Sequence, residues 1–163
     1  MEHGNLALEL TILVGTMTGT AQLVAQELEL TLDSPELKVT TKVLDGLGPE
    51  VFDGGGLFLL CTSTYGQGDV PDNARPAFEA LQVTRPDLAA VRYGVIALGD
   101  RTYAETYCFG GKRFDALLTE LGAKRIGEPM LHDASSGTLP EEVAVEWING
   151  WLAEVREATG QAA

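Results

Sequence analysis

The chain is short of several things that would name a chemistry. It has two cysteines and two histidines among 163 residues, and Cys61 and Cys108 stand in neither a C-x-x-C pair nor a Cys/His spacing suited to zinc. Neither a disulfide framework nor a metal centre is implied. Basic residues are scarce as well, 11 against 24 acidic ones, for a formal net charge of −13. Such a surface is repelled by nucleic-acid phosphate and anionic lipid and suits basic protein partners, so neither a nucleic acid nor a membrane is expected as a partner. No apolar run approaches the ~20 residues of a membrane-spanning helix. The first eight residues lack the basic flank and apolar segment of a secretory signal. A cytoplasmic protein is expected. No loop reads G-x-x-x-x-G-K-[ST] or G-x-G-x-x-G, which leaves no basis for a nucleoside triphosphate or a Rossmann dinucleotide. Internal repeats and low-complexity linkers are missing too, and at ~100 to 200 residues per domain the length suits one domain, 1–163.

What is present is an alternation of two periods. Residues 8–14, 57–61 and 93–98 are short apolar runs that end in turn formers, the pattern of strands buried on both faces. Residues 38–44 are more polar and β-branched, as suits a strand near an edge, and 124–131 is a weaker fifth candidate. Between them, Ala21, Val24, Ala25, Leu28 and Leu32 share one helical face; Phe114, Leu117, Leu118 and Leu121 share a second; Val143, Trp147, Ile148, Trp151 and Val155 share a third. Pro140 followed by Glu141 and Glu142 opens the last helix with a residue that needs no amide partner and with charges that suit the dipole. Strands alternating with helices in this way predict an α/β fold, a parallel sheet with helices on both faces.

In an open α/β sheet the ligand crevice lies beyond the carboxyl ends of the strands. The loops that follow the first, third and fourth strands read Gly15-Thr16-Met17-Thr18-Gly19-Thr20-Ala21, Thr62-Ser63-Thr64-Tyr65-Gly66-Gln67-Gly68-Asp69, and Gly99-Asp100-Arg101-Thr102-Tyr103 running on to Tyr107-Cys108. The first brings threonine hydroxyls and helix-start amides to a point where the dipole favours an anion, a candidate phosphate cradle. Ordinary N-capping by Thr16 or Thr18 is the plainer reading of that loop taken alone. The other two loops add what a planar ring needs: Tyr65 and Tyr103 or Tyr107 as stacking faces, and glycines that let backbone approach.

These three stretches together resemble flavodoxin-like domains that bind flavin mononucleotide (FMN). The likeness covers nearly the whole chain. It is closest to short stand-alone flavodoxins of the MioC type, through Ser63-Thr64, Gly68-Asp69-Val70-Pro71-Asp72-Asn73, Arg85-Pro86-Asp87-Leu88 and Gly122-Ala123-Lys124. The FMN domain of sulfite reductase flavoproteins follows, through Leu98-Gly99-Asp100, Gly111-Lys112 and Phe114-Asp115. The resemblance implies a flavodoxin-like, five-stranded parallel sheet in the order 2-1-3-4-5. It implies FMN with its phosphate at Thr16, Met17, Thr18, Gly19, Thr20 and Ala21. The isoalloxazine would lie between Ser63, Thr64, Tyr65, Gly66, Gln67 and Gly68 on one side and Leu98, Gly99, Asp100, Tyr103, Tyr107 and Cys108 on the other. The resemblance also implies that the peptide Tyr65-Gly66 turns its carbonyl toward N5 of the reduced ring, a turn that glycine eases. One residue more than the family pattern separates Tyr103 from Cys108, and of the two tyrosines Tyr103 is favoured as the stacking face.

The resemblance implies a carrier with no catalytic acid or base of its own, because the flavin supplies the chemistry and the polypeptide tunes it. The expected function is to shuttle single electrons, as a monomer, from an NADPH-dependent flavoprotein reductase to a reductive acceptor enzyme. Two rivals stand beside it: an FMN-dependent NAD(P)H:quinone reductase, and a separate FMN subunit of a diflavin system such as sulfite reductase. Acidic residues on the rim, among them Asp69, Asp72, Asp100 and Glu105, are expected to oppose the charge of the reduced flavin and to face basic partners. Cys61, Trp147 and Trp151 are read as core, Cys108 as a small wall residue, and His3 and His132 as neither ligands nor bases.

Overall fold

A computed structural model describes residues 8–15, 19–44, 46–53, 55–63, 74–99 and 108–159. Strand β1 (Leu8–Gly15) leads to helix α1 (Thr20–Leu32) and strand β2 (Leu37–Val43). A crossover containing a 3-10 turn at Pro49–Phe52 reaches β3 (Gly56–Thr62), followed by α2 (Arg75–Thr84), β4 (Val91–Gly99) and α3 (Phe109–Glu120). Two short strands, β5 (Lys124–Arg125) and β6 (Met130–Asp133), precede the closing helix α4 (Pro140–Thr159). All strand pairs are parallel and the order is β2-β1-β3-β4-β5, with β6 also on β4.

The two-residue period of the strands divides the core in two. Leu10, Ile12, Val14, Leu57, Leu59, Cys61, Ile96 and Leu98 face α1 and α4, while Leu13, Phe58, Leu60, Tyr93, Val95 and Ala97 face α2 and α3. From Leu57 to Thr62 every residue of β3 is buried, as its apolar run predicts for the middle of a sheet covered on both sides. β2, with its lysines and threonines, is the edge. The helical faces predicted on α1, α3 and α4 are the ones that are buried: Ala21, Val24, Ala25 and Leu28; Phe114, Leu117 and Leu118; Ile148, Trp151 and Val155.

The fifth strand departs from expectation. It is not one run over 124–131 but two pieces, so that six strands fill five places, and β6 runs on through His132 to Asp133. The cause is local. The Ile126 amide still donates to the Tyr93 carbonyl at 2.8 Å, but Gly127 then takes φ +71° and the chain leaves the ladder. The Ile126 carbonyl accepts instead from the Trp151 indole N–H at 2.9 Å. That indole lies over Gly94, where a side chain would collide with it.

A polar network locks α3 to this edge. The buried Tyr93 hydroxyl donates to Asp115 Oδ1 at 2.5 Å and accepts from the Thr119 hydroxyl at 2.8 Å. Asp115 also pairs with Arg125 of β5, whose Nε donates to the Gly127 carbonyl. Burial first, and then the neighbouring Asp115 carboxylate, holds the phenol above its ordinary pKa, so it is protonated and a donor at neutral pH.

Candidate functional site

β1 and β3 end level, with Gly15 opposite Thr62, while β4 pairs with Thr62 at Ala97 and runs on to Gly99. At the carboxyl edge they define, α1 is preceded by its N-cap Gly19, which takes φ +92°. Thr16 and Thr18 are therefore not the N-cap residue; they and Met17 lie outside the described residues. The first turn of α1 carries no acidic side chain, so the positive end of the dipole is not neutralised from within the helix. Ala21 is fully buried, and its carbonyl accepts from the Cys61 thiol at 3.4 Å. Burial pushes the Cys61 pKa up to about 12, so this sulfur is a protonated core atom.

Ser63 leaves β3 at the mouth of the second loop, and its amide donates to the Gly15 carbonyl at 2.9 Å. Thr64, Tyr65, Gly66, Gln67 and Gly68 lie outside the described residues, and so does the acidic pair Asp69 and Asp72. The chain returns at Ala74, fully buried at the start of α2.

The base of the third loop is closed by one tight contact. Gly99 ends β4, and a Cβ built there would stand 2.5 Å from the Cys108 amide nitrogen and 3.1 Å from both its Cα and its sulfur. Cys108 holds φ +58°, a left-handed conformation uncommon for a residue with a side chain. Its thiol is fully buried and donates to the Ala97 carbonyl at 3.3 Å, with the His132 carbonyl at 3.8 Å. Leu98 is buried as well, so whatever Ala21, Leu98 and Cys108 offer a ligand, they offer through the backbone. Asp100, Tyr103, Tyr107 and Glu105 lie outside the described residues. His132, read from sequence as lying after the last strand, is instead buried inside β6 with Nε2 against the Thr138 hydroxyl at 3.0 Å.

A model of the Flavodoxin family matches residues 12–147, a span that holds all three strand ends and the loops between them. The chain belongs to the flavodoxin family. Among its relatives, Protein MioC of Escherichia coli (strain K12) is 38% identical over 144 residues, covering 88% of this chain and 96% of that one. The sulfite reductase [NADPH] flavoprotein alpha-component of Bacillus subtilis (strain 168) is 37% identical over 156 residues, 95% of this chain but 25% of that protein. Among solved structures, a cysteine-to-alanine mutant of flavodoxin from Pseudomonas aeruginosa superposes with a TM-score of 0.81 at 31% identity, covering 91% of this chain and 99% of that one. The strand order of this flavodoxin is the order that its loops implied, and its cofactor is FMN.

The described residues fit that cofactor. A helix start with no carboxylate in its first turn suits a phosphate. The glycine contact between Gly99 and Cys108 brings the two ends of the third loop together, as a wall against a planar ring requires. Thr62, buried between Gly15 and Gly111, is not among the cofactor residues read from sequence. Its one sequence signal is its place at the end of the apolar run, just before the hydroxyl-rich second loop. Among the described residues no group of His, Cys, Asp and Glu is arranged to hold a metal, and no helix is long and apolar enough to cross a membrane.

Proposed function

We propose that this flavodoxin carries single electrons from an NADPH-dependent flavoprotein reductase to a reductive acceptor enzyme, working in the cytoplasm as a monomer with residues 1–163 as one FMN-binding domain and without catalytic activity of its own. The observation that carries this is that β1, β3 and β4, the strands from which the three family loops leave, are neighbours in one parallel sheet within the span matched by the family. FMN supplies the one-electron chemistry. Thr16, Met17, Thr18, Gly19, Thr20 and Ala21 hold the phosphate through neutral donors and the α1 dipole. Ser63, Thr64, Tyr65, Gly66, Gln67 and Gly68 bound one side of the ring, and Leu98, Gly99, Asp100, Tyr103, Tyr107 and Cys108 the other, with Tyr65 and Tyr103 as stacking faces. The chain's acidity suits basic redox partners and disfavours nucleic acid and membrane surfaces.

Purified protein is expected to bind FMN stoichiometrically, to be photoreduced in two separable one-electron stages, and to oxidise NADPH only when a reductase is added. Rapid NADPH:quinone turnover by the protein alone would replace this reading with the quinone reductase. The match to one quarter of the sulfite reductase alpha-component favours a third reading, the FMN subunit of a diflavin system. That reading requires a stable complex with a separate NADPH-binding chain in co-purification.

A carboxylate ~12 Å from the flavin at an effective dielectric of ~60 opposes its reduced charge by roughly 0.5 kcal/mol before salt screening. Asp69→Asn with Asp72→Asn is therefore expected to raise the potential for the second electron by tens of millivolts, since about 1.4 kcal/mol is 59 mV for one electron. Potentiometry at low ionic strength checks it, and an unchanged value removes these two residues from the rim.

A further inference from the structure

The second loop starts from a clamp that the family reading leaves without a role. Thr62, the last residue of β3, is fully buried although it carries a hydroxyl. The hydroxyl donates to the carbonyl of Ser63 at 3.1 Å, while the Ser63 amide donates to the carbonyl of Gly15 at 2.9 Å. Ser63 is thus held at both of its backbone polar groups, by one residue of β3 and one of β1. The room for this is supplied by missing side chains. A Cβ at Gly15 would stand 2.7 Å from Thr62 Oγ1 and 3.0 Å from the Ala74 Cβ, and a Cβ at Gly111 would stand 3.4 Å from Thr62 Cγ2 and 2.5 Å from the Ala97 Cβ. Gly15 also directly precedes the first loop, and Ala74 ends the second. A buried hydroxyl in a niche of this kind is retained at the cost of desolvation unless it has a partner, and its partner here is the first peptide of the loop.

We propose that Gly15 and Thr62 are positioning residues for FMN: the Thr62 hydroxyl, seated in the space left by Gly15, fixes the Ser63 peptide and with it the angle at which the second loop leaves the sheet. This rests on the FMN-carrier reading above and adds to it two residues that act on the second loop through Ser63.

The test separates donor from shape. Thr62→Val keeps the branched shape and removes the donor; it is expected to weaken FMN binding about three- to tenfold while apoprotein thermal unfolding stays near wild type. Thr62→Ser keeps the donor and is expected to bind FMN more tightly than Thr62→Val, despite losing a methyl. Gly15→Ala is expected to weaken binding about tenfold or more. Adding Thr62→Ala to Gly15→Ala removes the colliding hydroxyl and is expected to recover part of that loss, a coupling read in the FMN dissociation constant by flavin-fluorescence titration. The midpoint potential of bound flavin in Thr62→Val is expected to differ from wild type, which a change confined to the core would not produce. Wild-type affinity and potential in Thr62→Val overturn the proposal, as does equal loss in Thr62→Val and Thr62→Ser. If Gly15→Ala does not fold, the two Thr62 variants decide alone. Failure of the wild-type protein to bind FMN would instead overturn the carrier reading itself.

Discussion

Replacing Gly94 by alanine is expected to destabilise the protein by about 2–3 kcal/mol, because the new methyl enters a space already filled by an indole. The built Cβ stands 2.4 Å from Trp151 Nε1, 2.5 Å from Cε2 and 2.7 Å from Cζ2. Each distance is below van der Waals contact, and the obstacle is a rigid bicycle with no flexible end to swing aside. Trp151 is fully buried, stacks on Trp147 with 5.7 Å between centroids, and donates to the Ile126 carbonyl at 2.9 Å. Relief by moving the indole therefore breaks that hydrogen bond and leaves a buried carbonyl unpartnered, which adds to the cost. Urea unfolding of the apoprotein should show the midpoint falling with the slope unchanged. Trp151→Phe removes the colliding nitrogen and shrinks the ring. The double variant should cost less than the sum of the two single changes. A wild-type midpoint in Gly94→Ala would mean that α4 yields more easily than its burial implies.

That contact also marks where the sequence stops being legible. The apolar runs of β3 and β4 are readable because a strand covered on both faces leaves almost no position polar. The buried faces of α1, α3 and α4 are readable because a 3.6-residue period leaves a stripe. The last strand, expected as one run over 124–131, carries a local warning in Gly127 and Pro129, residue types that interrupt a ladder. What the residue types at the break do not show is what takes over the freed backbone: the Trp151 indole becomes the partner of the Ile126 carbonyl from 25 residues away in sequence. The same holds at the site. Hydroxyls, glycines and tyrosines at strand ends announce the three loops, since their composition stands out from the apolar runs they follow and matches what the proposed phosphate and ring sites require. The residues beneath the loops are ordinary in type: a glycine, a buried threonine and an alanine. Gly15, Thr62 and Ala74 matter by being small and adjacent across three elements, and adjacency of that kind appears only once the sheet register is known. His132 shows the reverse error: a polar residue beside Asp133 reads as loop, yet it completes β6 because Thr138 satisfies its ring nitrogen inside the fold.

Gly99→Ala is expected to reduce FMN affinity by at least tenfold to a hundredfold, the largest effect of a single methyl at the cofactor edge. The difference from Gly15 lies in what the methyl meets. At position 15 the nearest atom is a side-chain hydroxyl, which a second substitution can remove; at position 99 it is the amide nitrogen of Cys108, 2.5 Å from the built Cβ, with the Cys108 Cα at 3.1 Å. No substitution at 108 deletes those atoms, so relief has to come from backbone movement. Cys108 resists it, since its φ of +58° and its thiol contacts to the carbonyls of Ala97 and His132 fix it against β4 and β6. Displacing it spreads the two ends of the third loop, residues 100–107, and carries the start of α3 away from the sheet. The apoprotein should remain folded, because the Tyr93–Asp115–Arg125 network anchors α3 further along its length. Titration of FMN fluorescence against Gly99→Ala apoprotein, with far-ultraviolet circular dichroism on the same sample, distinguishes the outcomes. Native dichroism with weakened binding assigns the closed base of the loop a direct part in holding the cofactor, whereas native dichroism with unchanged affinity would show that the third loop keeps its grip on the ring without it.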